Sequence, residues 1–166
     1  MIVFARQKKS LKYKTKLLSK IRKLLKKDDI CLQICSDFGH EPDILDGIPI
    51  EFDPKLDVSA KTVNAKIHLN ESLLSDSFKV IMRYVVHELV HAFQHMNKKT
   101  NKDIHKDKEY LDRPDELEAF QVQIQYDAKH RGEEEAEKYV DDLIEYHEIP
   151  DSKQEDKKEQ LMKRLE

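Results

Sequence analysis

The chain has 166 residues, 39% hydrophobic and 38% charged, with a formal net charge of −3. That length suits one compact domain with a heavily charged skin, and no apolar run is long enough to span a bilayer. The opening MIVFARQKKS lacks the apolar stretch of a signal peptide, so the expectation is a cytoplasmic protein not exported by that route.

Residues 1–27 carry eleven Lys or Arg and no acid. Within them Leu11, Leu17, Leu18, Ile21, Leu24 and Leu25 recur at helical spacing, which predicts a basic amphipathic helix over 10–27 with its lysines in water. Basic residues 6–27 also suit a nucleic acid or an anionic membrane surface as partner. ICLQICSDF reads as a short strand. Its Cys31 and Cys35 lack C-x-x-C spacing and read as reduced, partly buried thiols. GHEPDILDGIPIEFDP holds three of the five prolines and two of the three glycines, hence turns around short extended pieces. In SAKTVNAKIHLN, Val63, Ala65, Ile67 and Leu69 alternate with Thr62, Asn64, Lys66 and His68, the pattern of one half-buried strand.

SDSFKVIMRYVVHELVHAFQHMNK contains no Gly or Pro and predicts one long helix capped by Ser75, Asp76 or Ser77. A polar connection, KTNKDIHKDKEYLDR, leads to Pro114 and a helix over 115–130, broken at Gly132. Residues 133–147 read as an acidic helix with Tyr139, Val140, Leu143 and Ile144 as its apolar positions. The expectation is a single α+β domain over 1–150, followed by a charged tail, 151–166, as loose helix or frayed end.

HELVH, residues 87–91, carries the chemistry. His87 and His91 lie one turn apart on a helix and can share one zinc ion. Glu88, about 100° round from His87, cannot be an equal ligand but can reach a water on that ion as general base. On the same helical wheel Arg83, Tyr84, Gln94 and His95 fall in the motif's sector, while Val80, Ile81, Met82, Val85, Val86, Leu89, Val90, Ala92, Phe93 and Met96 fill the rest. A mostly buried helix with one polar stripe must find partners for that stripe.

A catalytic zinc has three protein ligands and an open position. His95 lies another turn on, past the ion, and reads as cleft-lining. The metzincin position, sixth after His91, is Asn97. In YLDRPDELEAFQ, Glu116 and Glu118 face roughly opposite ways on a helix. Glu116 sits beside the apolar face of Leu117, Ala119, Phe120, Ile124 and Ala128, and small Ala119 allows close helix approach, so Glu116 is the expected third ligand and Glu118 the fallback.

H-E-x-x-H followed on a later helix by Glu with Ala three residues on resembles the gluzincin metallopeptidases, including small single-domain minigluzincins and repressor-cleaving proteases of phages and mobile elements. HELVHAFQH is also similar to the motif of the mitochondrial-processing Atp-type peptidases. The resemblance covers about residues 60–130 and implies a zincin-like fold: N-terminal helix, small twisted sheet, buried HExxH helix, Glu helix. It also implies a peptide or protein substrate pairing with an edge strand, here around Val63 to Leu69. One position departs. Many gluzincins carry an acid four after the ligand Glu to orient a zinc-bound His, and here that position is Phe120, so orientation is expected from elsewhere, such as a backbone carbonyl. An oxyanion donor is expected opposite the base: Tyr110 first, with Tyr126 and His105 behind it. The rival readings are a non-catalytic peptide- or protein-binding module on the same scaffold, and a protease recruited to nucleic acid through the basic helix, similar in logic to the SprT-type proteases.

Overall fold

A computed structural model gives the architecture; residues 2–97 and 108–166 are described, with backbone alone for 2–10. The chain folds as α1 (Ile2–Leu25), α2 (Asp29–Asp37), α3 (Ile44–Gly47), β1 (Ile50–Asp53), β2 (Ala60–Val63), β3 (Lys66–Asn70), α4 (Phe78–Met96), α5 (Pro114–Arg131), α6 (Glu133–Tyr146) and α7 (Asp151–Leu161). This is an α+β protein with a small mixed sheet in the order β1-β3-β2, β1 parallel and β2 antiparallel to β3.

α1 buries Leu17, Ile21 and Leu25, the face that the leucine spacing predicts. ICLQICSDF is a helix, not a strand: Ile30, Cys31, Ile34 and Cys35 repeat at i, i+1, i+4, i+5 and all point inward. Both cysteines are free, and burial pushes their thiols up, most strongly at Cys31, which also faces Asp28. Residues 59–70 are two strands. Asn64 and Ala65, with φ of 50° and 60°, form the two-residue turn of a hairpin. That turn puts Thr62 opposite Ile67, so Thr62 faces the core and Val63 faces solvent, the reverse of the expectation from simple alternation.

Two apolar clusters result. The larger joins α1, α2, the sheet and α4, and reaches α5 through Ala119 and Val122. The smaller gathers Leu111, Phe120 and Ile124 with Val140, Leu143 and Leu161. The last sixteen residues therefore include an ordered helix, α7. Its buried Lys157 donates to the Leu111 carbonyl at 3.2 Å, Asp112 Oδ1 at 2.5 Å and Gln160 Oε1 at 2.8 Å, tying down the 3-10 turn Tyr110–Asp112.

Asp28 fastens α2 to α5. Its Oδ1 accepts from the Ile30 and Cys31 amides at 2.9 and 3.2 Å, and its Oδ2 lies 2.7 Å from His130 Nε2 and 3.3 Å from Lys129 Nζ. Burial opposes the charge, yet these partners hold the carboxyl below its ordinary pKa. Asp28→Ala, which removes a helix cap and a buried ion-pair partner, is expected to lower unfolding free energy by about 3 kcal/mol at pH 7. A carboxyl depressed in the folded state contributes fully above its unfolded pKa, about 3.9, and loses that contribution as pH falls through the folded value. The wild type and variant should therefore converge in urea denaturation as the solution is acidified.

Candidate metal centre

Ser77 caps α4, its hydroxyl accepting from the Val80 amide, and starts the helix that carries HELVH. His87, Glu88 and His91 are all buried. Pro114 starts α5 and places Glu116 in its first turn. α4 and α5 share the most extensive contact between any two described elements, with Ala92 and Ala119 both fully buried.

Three atoms converge there. His87 Nε2 and His91 Nε2 are 3.2 Å apart, and Glu116 Oε2 lies 3.3 Å from the first and 3.2 Å from the second. Ligands about 2.05 Å from a tetrahedral zinc lie about 3.3 Å from one another. The triangle is thus the size of one face of such a site, and these are the described residues that could hold a metal ion. Glu116 occupies the expected place. Glu118 does not: its Oε1 accepts from Gln94 Nε2 at 3.1 Å.

The orienting groups are not backbone carbonyls, as expected, but two side-chain amides. Gln123 Oε1 lies 2.9 Å from His87 Nδ1, and Gln94 Oε1 lies 2.8 Å from His91 Nδ1. An amide oxygen only accepts, so each Nδ1 must carry hydrogen, and each Nε2 faces inward as the nitrogen left to bind a metal. Gln94 Nε2 donates to the Asp115 carbonyl at 3.0 Å and to Glu118, which fixes the end presented to His91. Gln123 also hydrogen-bonds Tyr139 of α6. Phe120, at the position where an acid was looked for, packs its ring edge-on against His87, with centroids 4.5 Å apart. Gln94 stood in the polar sector of the helical wheel. Gln123 was missed, although it lies seven residues after Glu116, two turns along the same face.

Glu88 leans toward the sheet. Its Oε2 is 2.6 Å from Thr62 Oγ1, which is also 3.0 Å from the Glu88 carbonyl. Tyr110 stands beside Glu116; burial and that carboxylate, to which the phenol hydrogen-bonds, push the phenol pKa up. His147, not singled out from the sequence, stacks on Tyr110 with centroids 5.2 Å apart. Tyr126 is ten residues from Glu116, about 15 Å along α5, against His130, and so drops out as a donor to this centre. His105 lies outside the described residues. His95 serves the hairpin, its Nδ1 3.4 Å from the Ala65 amide.

Burial disfavours charge on both Glu116 and His91, but their pairing outweighs it. The two imidazoles hold Glu116 well below the usual carboxylate range, and Glu116 with Glu88 lifts His91 to about 9. Without a cation, a proton is the positive charge in the triangle. A cation must displace it.

Compared with known protein families, with curated proteins and with solved structures, the chain gives no match. The gluzincin resemblance therefore rests on the sequence motif alone.

Two outcomes follow for metal uptake. His91→Ala and Glu116→Ala should lose stoichiometric divalent metal while Glu118→Ala keeps it, and Gln123→Leu should weaken binding about 10–100-fold; elemental analysis and chelator competition measure both. Because His91 holds a proton up to about pH 9, apparent affinity should climb about tenfold per pH unit from pH 6 to 8 and flatten above pH 9. A flat profile from pH 6 to 8 would show that no proton on His91 has to be displaced in that range.

Proposed function

We propose that the protein is a zinc-dependent peptidase of gluzincin type on a zincin-like fold, with His87, His91 and Glu116 as ligands. The observation that carries this reading is the triangle of ligand atoms with a fourth, non-ligating carboxylate, Glu88, buried beside it and turned toward the sheet edge. A purely structural metal site closes its coordination with protein groups and needs no such base.

A zinc ion held there supplies Lewis-acid activation of a water and polarises the scissile carbonyl. The chain's own residues do the rest. Glu88 accepts the proton from the attacking water and returns it to the leaving amine. The Thr62 hydroxyl engages Oε2 and leaves Oε1 for that exchange. Tyr110, held by the α7-anchored turn, offers a phenol to the developing oxyanion.

The substrate strand is β2 rather than the whole Val63–Leu69 segment, because Lys66–Asn70 is the central strand and paired on both sides. Across the hairpin Ser59, Lys61 and Val63 exchange hydrogen bonds with β3, as the Asn70 amide to Ser59 carbonyl bond of 2.9 Å shows. Ala60 and Thr62 therefore turn their backbone groups outward. An extended peptide adding to this edge would lie beside Glu88, since Thr62 touches both.

Glu88→Gln should keep the fold and full zinc content yet lower cleavage of a peptide library by about 10²–10⁴-fold, read by mass spectrometry. Undiminished cleavage by the variant would sink the base assignment. Zinc-loaded wild type that retains peptides without cutting them would point instead to a binding module.

A further inference from the structure

We propose that the outer face of α1 is a sequence-independent docking surface for the phosphate backbone of nucleic acid, independent of the metal-site reading. The structure sorts the cations of this helix into two groups. Lys14 pairs with Glu71, Lys26 with Asp46 at 2.8 Å, and Arg22 donates to the Leu45 carbonyl at 3.2 Å. Lys12, Lys16, Lys23 and Lys27 are exposed and make no ion pair or hydrogen bond through their ammonium groups with the described residues, while exposed Lys20 rests over the Phe78 ring at 4.0 Å.

The second group is aligned. At 100° per residue Lys12, Lys16, Lys20 and Lys23 fall within about 80° of arc, a row about 16 Å long, and Lys27 follows in the turn after α1. Thr15 and Ser19 lie along the same row. The buried residues Leu17, Ile21 and Leu25 occupy the opposite side. The row holds lysines and hydroxyls, groups that contact phosphate, and no Arg, Asn or Gln placed to read base edges.

A lipid surface fits less well. An interfacial helix must insert its apolar face, and that face of α1 is already in the core. The exposed apolar residues Leu11 and Tyr13 flank the row about 160° from each other and cannot form one inserting face. The rest of the protein favours this docking direction: residues 28–166 carry 33 acids against 19 bases, whereas residues 1–27 carry eleven bases and no acid. α1 packs by the β1 edge of the sheet, whereas Glu88 meets β2 at the other edge, so a bound polyanion leaves the candidate metal centre open.

The test is fluorescence anisotropy with a short labelled duplex of mixed sequence, as a function of salt. Four phosphate contacts give a slope of log K against log salt of about −3.5, roughly a hundredfold loss between 50 and 200 mM. The full chain carrying Lys12→Gln, Lys16→Gln, Lys23→Gln and Lys27→Gln should lose binding with unchanged circular dichroism. The four Lys→Arg changes should keep it. Neutralising exposed Lys55, Lys61, Lys138 and Lys153, which lie outside the row, should leave it intact. Absence of salt-sensitive binding by the wild type would overturn the proposal, as would undiminished binding by the four-Gln variant. So would binding to phosphatidylserine vesicles without binding to duplex.

Discussion

From Val85 to Gln94 every side chain of α4 is buried, and His87, Glu88, His91 and Gln94 among them are polar. Polar groups withdrawn from water must be answered by other polar groups. Each of these four is answered: Gln123 and Glu116 on α5 meet His87, Gln94 and Glu116 meet His91, Thr62 on β2 meets Glu88, and the Asp115 carbonyl with Glu118 meets Gln94. The requirement sets the register of α5 against α4 and the seat of the hairpin. The apolar majority of α4 supplies most of the burial, but it would tolerate sliding; the polar stripe would not.

A second layer supports the first from behind. Arg83 donates to buried Asp127 at 2.7 Å and lies 4.2 Å from the Tyr139 ring, so α4, α5 and α6 are joined by one polar chain that also reaches His87 through Gln123. On the other flank, α7 contributes Leu161 to the smaller core and Lys157 to the turn that carries Tyr110. The geometry near the three ligand atoms thus depends on residues up to 46 positions away in sequence from the groups they hold.

The long elements were legible because their patterns are redundant. α4 shows an apolar wheel, a Ser cap and an uninterrupted run; α5 shows Pro114 at its start and Gly132 at its end. Glu116 was picked out by its place beside the apolar face of α5; Glu118 also reaches α4, through Gln94, but not the His87–His91 pair. α2 was misread because Cys31 and Cys35 fall on one face in a strand and in a helix alike, so the cysteines could not discriminate. The hairpin was hidden because Asn64-Ala65 makes its turn without glycine and leaves the alternation of residue types intact while inverting which face each side chain takes. Gln123 was passed over because a search for charged partners overlooks an amide.

That substitution of amides for acids has an electrostatic consequence. A carboxylate that orients an imidazole also adds a full negative charge a few ångströms from the ligand nitrogen. Gln94 and Gln123 impose the same ring tautomers at no net charge. Once a cation has displaced the proton on His91, the formal charges of the pocket are those of Glu116 and Glu88, two negatives that a divalent ion would balance. On the zinc reading proposed above, an ion seated among neutral orienting groups would keep more of its own positive field, and its ligands would donate less strongly than acid-backed imidazoles. Such a pocket would favour polarising power at some expense in grip.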